Sequence, residues 1–415
     1  MKKLVGCMAA GTETVLPGKG RFVALLAVAE VLAMTLWFSA TAVVPSLIRD
    51  YGIEPAHASL FTSLVQVGFV VGTLGSAILG LADRLEPRRF FAASAVIAGT
   101  ANGIILFLDP TGPVVLAMRF LTGICMAGIY PVGVKIVTTW ARGDRGLLVG
   151  VLVAALTLGS AFPHLFNSLG AVDWRIPIAC SSLSALLAAV LIGFVSLGGE
   201  TAKAPPFRIG LAFEGFRRPA MRYANFGYLG HMWELYAMWA WIGLFLLSSY
   251  RDRGIEDAPF WAAFTHFWVL AIGAAGAAGA GWIADRWGRT ATTIVAMSVS
   301  AACSLLVGIT YDAPIAAMVT LCLVWGIFVI ADSAQFSAAI SELAPANLVG
   351  TSITIQTSAG FLLTLAAIHV IPWFANLVGW EWSFVILAPG PLFGIWAMAK
   401  LRRHPDAVHL ADGRR

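Results

Sequence analysis

Charge is what this chain most lacks. Only 12% of its 415 residues are Asp, Glu, Lys or Arg, roughly half of the ~25% a soluble domain carries. That shortage excludes a set of ordinary soluble domains, although the length alone would allow two or three. Cysteine is scarce too: Cys7, Cys125, Cys180, Cys303 and Cys322 make no disulfide framework, and four of them sit in apolar runs as small hydrophobes. Cys7 follows LVG like a lipoprotein box, but MKKLVG is too short for the apolar stretch such a signal needs. No GxxxxGK[ST] loop is present, which excludes a nucleotide-driven pump and leaves an ion gradient as the energy source. No histidine pair has metal-ligand spacing with a third ligand nearby, and nothing resembles a nucleophile with its base. No metal, cofactor or enzymatic activity is therefore expected.

What is abundant is apolar sequence, 59% of the chain, in many runs longer than the ~18 residues that mark a membrane-spanning helix. Breaking the chain at charged and Pro/Gly-containing turns gives spans at 22–44, 58–82, 90–108, 114–140, 147–169, 175–197, 222–248, 260–284, 291–310, 314–341, 350–374 and 379–399. The reading is an all-α polytopic membrane protein: twelve transmembrane helices, two six-helix halves in a pseudo-twofold arrangement. The expected organisation is an N-terminal half over 1–197, a basic surface linker over 198–221, and a C-terminal half over 222–415 ending in a short basic tail. Of the 27 Lys and Arg, 21 fall on the side of the termini and four (Arg49, Arg175, Arg251, Arg253) on the other. This asymmetry places both termini in the cytoplasm, of a bacterial inner membrane, and accounts for the formal net charge of +5 without a nucleic-acid partner.

A repeat lies over this pattern. GWIADRWGR (281–289) follows span eight, and LGLADRLEPRR (79–89) follows span two, with Asp83 and Asp285 202 residues apart. Internal repeats of this kind mark secondary transporters. The pattern G-x-x-A-D-R-x-G-R at 281–289 resembles the signature loop of the major facilitator superfamily, and the span count, inside termini and long central loop match that family over nearly the whole chain. The first copy is looser: Gly80 sits one place late and LEP replaces the usual x-Gly before Arg88 and Arg89. The resemblance implies a charge cluster at cytoplasmic helix ends, broken and remade during alternating access. Its members here are Asp83, Arg84, Gly281, Asp285, Arg286, Gly288 and Arg289. A carboxylate beside a helix N-terminus is stabilised by the helix dipole, which makes such a cluster physically reasonable.

Five ionisable residues fall inside spans: Glu30, Arg119, Lys135, Glu234 and Asp332. Each would cost about 2.5–3.5 kcal/mol facing lipid at a helix centre, so protein, water or a partner should meet it. They lie on spans one, four, seven and ten, which the resemblance places around a central cavity. Glu30 and Glu234 are 204 residues apart, and at the 202 offset Asp332 corresponds to Tyr130. Helical spacing groups Glu30, Met34, Trp37 and Thr41 on one stripe, and His231, Glu234, Met238 and Trp241 on another. Trp37, Tyr130, His231, Trp241 and Gln335 are the expected substrate-cavity residues. Arg119 and Lys135 are 16 residues apart, out of phase unless span four bends at Gly128, Pro131 and Gly133. RFLTG (119–123) resembles the family's fourth-helix arginine motif, which implies a part in proton coupling. His164, His266 and His369 read as hydrogen-bonded packing residues, and Gly68, Gly72, Gly273, Gly276, Gly279 and Gly281 as points of close helix approach.

Missing motifs narrow the family. Spans two and eight have no arginine of the nitrate-porter kind, span five lacks both a nitrate signature and G-P-x-x-G-G, and span eleven has no cation. GIYPVGVKIVTTWARGDRG (128–146) resembles the fourth helix and following loop of metabolite importers. The reading is a proton-coupled carrier of a small organic solute, working as a monomer, with protons, lipid and the solute as its partners. Glu30, Glu234 and Asp332 are its proton-binding acids, and Arg119 and Lys135 their counter-charges or the substrate's. Proton-driven efflux of drugs or metabolites fits the same residues. A transporter-like sensor or scaffold is the alternative from another class.

Overall fold

The computed structural model describes residues 17–142, 144–169, 173–199 and 207–414. Cys7, the Lys2–Lys3 pair, residues 200–206 of the linker and the side chain of Arg145 lie outside that set. The chain is helical almost throughout. Among the described residues, eleven spans are long and apolar enough to cross a membrane: α1 Lys19–Phe38, α2 Pro55–Leu79, α3 Pro87–Phe107, α4 Pro113–Thr138, α5 Gly146–Leu169, α6 Arg175–Phe194, α8 Ala258–Trp287, α9 Arg289–Thr310, α10 Ile315–Leu343, α11 Val349–Val378 and α12 Ser383–Arg402. The twelfth, α7 (Pro219–Asp252), is the longest at 34 residues, and His231 and Glu234 within it dilute its apolar character. Proline opens α2, α3, α4 and α7, where its missing N–H would have had no partner anyway.

The packing repeats between the halves. In the first, α1 lies on α5 and α6, α2 on α4, and α3 on α6. In the second, α7 lies on α11 and α12, α8 on α10, and α9 on α12. The halves meet most extensively where α2 packs on α11 and α5 on α8. Lipid supplies no hydrophobic drive between helices, so close van der Waals approach holds them. A Cβ at Gly123 would land on the Val65 carbonyl oxygen, and one at Gly276 on that of Ile327. Small residues thus seat α2 on α4 and α8 on α10. Gly279 and Gly281 face open space instead, so the expected ladder in span eight has only its first two rungs.

Breaks occur at equivalent places. α4 is interrupted between Met126 and Tyr130, at the bend expected from Gly128 and Pro131. α10 is interrupted at Asp332, the residue paired with Tyr130 by the repeat. α1 stops at Phe38 and continues as a turn and a short helix, Val44–Tyr51, opened by Pro45, whereas its counterpart α7 runs unbroken. Lys19 pairs with Asp144, a Cβ at Gly146 would sit 3.7 Å from Asp285, and Arg414 bonds the Asp285 carbonyl. Both described chain ends therefore share one side, called here the terminus side.

Candidate functional site

Glu30 is fully buried in α1, against α4: a Cβ at Gly133 would lie 2.5 Å from its Oε2. Among the described residues neither carboxylate oxygen has a hydrogen-bond partner. Glu234 occupies the matching place in α7. Its Oε1 accepts from the Trp325 indole at 2.8 Å, and that indole also donates to Ser300 Oγ at 3.1 Å. One turn nearer the terminus side, His231 Nδ1 lies 2.9 Å from Asp332 Oδ1, both residues almost completely buried. That oxygen receives no well-aimed hydrogen bond, and His231 Nε2 has no partner. The structure therefore brings Glu234, His231 and Asp332 into one region of the second half, and Glu30 into the matching region of the first.

Other expected members of this site lie elsewhere. Among the described residues the guanidinium of Arg119 meets no carboxylate. It donates to the carbonyls of Phe61 (3.1 Å), Leu36 (3.1 Å) and Trp37 (2.8 Å), to Ser39 Oγ (2.9 Å) and to Asn102 Oδ1 (2.9 Å). It fastens the end of α1 to α2 and α3, taking up carbonyls at the point where α1 stops. Lys135 does not reach the acids either; its Nζ bonds Asp83 Oδ1 and the Ala82 carbonyl, each at 2.5 Å. Gln335, expected in the cavity, accepts from Arg289 at 3.0 Å and belongs to the terminus-side charge network.

Trp241 also departs from expectation. Its indole donates to the Ile368 carbonyl at 2.9 Å. Pro372, four residues on inside α11, has no N–H to fill that acceptor, so Trp241 closes a gap left by proline. The stripe of His231, Glu234 and Trp241 points into its own half. The face of α7 that meets the first half is carried by Tyr236 and Trp239.

That face forms an aromatic seam between the halves. Trp37 touches Phe69, Tyr236 and Phe361 with ring centroids 5.1, 6.0 and 5.5 Å apart. Phe38 stacks on Tyr236 and meets Trp239 edge-on. Around these rings lie buried polar atoms without partners: Trp37 Nε1, Gln66 Nε2 and Ser358 Oγ. Gln66 and Thr364 hydrogen-bond each other across α2 and α11. Away from the terminus side the halves meet again at His164 and His266, whose ring centroids are 3.5 Å apart. Each had read as a separate packing residue; their pairing joins α5 to α8 and nothing in the sequence announces it.

At the terminus side each half carries its own charge network. Arg289 bonds Asp285 (2.8 Å), Gln335 and Glu342 (3.0 Å), drawing the ends of α8, α9 and α10 together. Gly288, with φ 96°, makes the turn between α8 and α9 that a side chain would strain. Glu342 also accepts the Ala411 N–H at 3.0 Å, which ties down the tail. Arg286 folds back over Trp282, 3.6 Å from its ring centroid, and Arg84 is exposed. In the first half Lys135 with Asp83 and Lys19 with Asp144 (2.6 Å) do the same work. The Arg142 backbone N–H and the Lys19 ammonium hold the Asp144 carboxyl below its ordinary range. Among the described residues no three His, Cys, Asp or Glu side chains come together as a metal site.

Comparisons with known proteins agree with this architecture. The chain is 29% identical over 160 residues to the niacin transporter NiaP of Acinetobacter baylyi, covering 36% of this chain and 34% of that one. It is 28% identical over 199 residues to the gentisate transporter of Corynebacterium glutamicum, covering 44% and 43%. The matched stretches thus span a third to under half of those relatives' length. In structure, the chain is similar to a bacterial homologue of the human lysosomal transporter Spinster, described as inward-facing and unoccupied. The TM-score is 0.72 at 13% identity, over 94% of this chain and 99% of that one. These relatives are transporters, not enzymes. The family profile described as Major Facilitator Superfamily matches residues 26–368, and with the twelve-helix, two-half fold it establishes that this integral membrane protein belongs to the major facilitator superfamily.

Proposed function

We propose that this chain is a proton-coupled carrier of a small organic solute that works by alternating access between two rigid halves, 1–197 and 222–415, joined by a linker over 198–221. The observation that carries the reading is Glu30, a fully buried carboxylate with neither oxygen partnered among the described residues. An ionised carboxylate so placed is among the costliest groups a membrane protein can hold. A proton or a donor group of the solute must meet it in each cycle, which couples the two. Glu234 and the His231–Asp332 pair are the corresponding proton-handling groups of the second half.

The solute is bound at the aromatic seam. Trp37, Phe69, Tyr236 and Phe361 offer flat apolar surface, and Trp37 Nε1, Gln66 Nε2 and Ser358 Oγ offer unspent hydrogen bonds. Such a surface suits a ring bearing a few polar substituents. Niacin and gentisate, named for two relatives, are both carboxyl-bearing aromatic rings. The seam and the His164–His266 contact close the side away from the termini. The pairs Lys135–Asp83 and Arg289 with Asp285 and Glu342 brace helix ends inside each half. Both termini lie in the cytoplasm of the bacterial inner membrane, and the monomer is the working unit.

The test is uptake of a labelled aromatic carboxylate into vesicles holding the purified chain under an imposed pH gradient. The wild type should accumulate solute, and Glu30→Gln should only exchange it across the membrane. Accumulation by Glu30→Gln at the wild-type level would remove Glu30 from coupling.

A further inference from the structure

On the side away from the termini, a cavity of about 380 Å³ opens between the halves, within the ~300–1,000 Å³ range of small-ligand pockets. Two short sequence elements flank it. Arg49-Asp50-Tyr51-Gly52-Ile53 ends the helix after α1, and Arg251-Asp252-Arg253-Gly254-Ile255 ends α7, 202 residues later, the same offset as Asp83 and Asp285. Gly52 and Gly254 share a left-handed conformation, φ 64° and 65°, so the two elements are the same turn built twice. The repeat brings Arg49 and Arg251, one from each half, to a single cavity wall.

The two copies differ in what holds the aspartate. Arg49 grips Asp50 through two bonds, at 2.6 and 2.8 Å. Asp252 instead accepts from the Tyr311 hydroxyl at 2.5 Å, and Arg251 faces the cavity. Deeper in the wall, His164 is 2% exposed and its Nε2 has no partner. It lies against His266, the rings tilted by 33°, and His266 Nε2 is engaged with the Trp239 carbonyl at 3.0 Å. Leu244 and Phe260 cover the apolar part of the wall, and Asp257 is the acid among its described lining residues. Arg49 is spent on Asp50, so Arg251 is the guanidinium this wall turns to the apolar space, with Asp257 on the same lining.

We propose that this cavity, next to the aromatic seam where His164 meets Phe38, is a second binding site, for a small organic carboxylate. Arg251 holds the carboxylate, His164 Nε2 adds a hydrogen bond, and Leu244 and Phe260 pack on the apolar body. The site spans both halves, so an occupant bridges them on the side where they meet. The proposal concerns binding alone, so a chain that binds here without moving solute would leave it standing.

The probe is benzoate, with benzyl alcohol as the same ring without charge, on the purified full chain in detergent. Leu244→Cys places a reporter in the wall, read by its rate of modification with a negatively charged methanethiosulfonate against wild type as background. Benzoate should slow that modification several-fold and benzyl alcohol should not. Arg251→Gln, added to Leu244→Cys, should raise the benzoate concentration needed for protection about tenfold, the usual effect of removing one charge-assisted bond. Arg251→Lys should restore most of it. Absence of protection by benzoate, equal protection by benzyl alcohol, or an unchanged requirement in Arg251→Gln would each overturn the assignment. Because the Leu244→Cys protein keeps every charged group, misfolding of the arginine variants cannot decide the outcome.

Discussion

Arg119 offers the sharpest test of how a buried charge is used here. Its guanidinium makes five hydrogen bonds and, among the described residues, touches no carboxylate. Replacing it by glutamine has two opposed consequences. Removing an unpaired cation from the interior relieves a desolvation cost. Against that, the carbonyls of Phe61 and Trp37 lose their charged donor, at about 1–3 kcal/mol each when buried. Leu36 and Asn102 share Ser39 Oγ as a neighbouring donor, at 3.0 and 2.7 Å; its single hydrogen serves one of them at a time, so their combined loss is only partly reduced. The hydrogen-bond term should win, for a net destabilisation of about 2–4 kcal/mol. At roughly 2 °C per kcal/mol for a long chain, thermal unfolding of the purified protein should start about 4–8 °C lower. Arg119→Lys keeps the charge but offers three donors from a point rather than a planar fork, and should fall between wild type and glutamine. If Arg119→Gln unfolds within about a degree of wild type, the anchoring of α1 is not what this residue does.

Four further outcomes follow from particular contacts. Glu234→Gln should keep the Trp325 bond through its amide oxygen, leaving unfolding temperature near wild type while gradient-driven accumulation in vesicles falls; unchanged accumulation would clear Glu234 of proton handling. Trp241→Phe should cost about 1–2 kcal/mol by stranding the Ile368 carbonyl. Adding Pro372→Ala, which returns an N–H to that carbonyl, should recover part of the loss, and strictly additive losses in unfolding scans would deny the link. Gly123→Ala should abolish a monodisperse peak in size-exclusion chromatography, because its Cβ lands on the α2 backbone. Gly75→Ala, which meets nothing within 4 Å, should be silent, and equal behaviour of the two would show that α2 and α4 are not packed through small residues.

How much of this was legible in the sequence depended on the kind of signal. The spans read well because about twenty apolar residues in a row have one physical explanation, and the bend of α4 followed from Gly128 and Pro131. Faces read poorly. α7 is buried nearly all round, so its pattern does not say which side meets which neighbour, and the stripe of Glu234 and Trp241 turned out to face its own half. Lys135 and Arg119 share a helix with an interruption between them, and sequence spacing cannot state how far a long side chain reaches. Lys135 went to Asp83 on the loop that the repeat had already marked. Trp241 had a readable clue, since Pro372 must leave the Ile368 carbonyl open, but which donor fills it is a matter of packing. The Arg-Asp-x-Gly-Ile repeat at 49–53 and 251–255 was present at the offset already established and needed only a search for it. The His164–His266 contact joins α5 and α8 across the two halves, and no local pattern encodes that.

The central claim is that solute movement carries protons through the buried acids. Its most direct measurement is the internal pH of sealed vesicles holding the purified chain, with a pH-sensitive dye trapped inside and an aromatic carboxylate gradient as the only driving force. The wild type should shift internal pH in step with solute flux, and Glu30→Gln should pass solute by exchange with no pH change. Net solute flux through the wild type at constant internal pH, with solute leakage of the free acid subtracted in empty vesicles, would contradict the account.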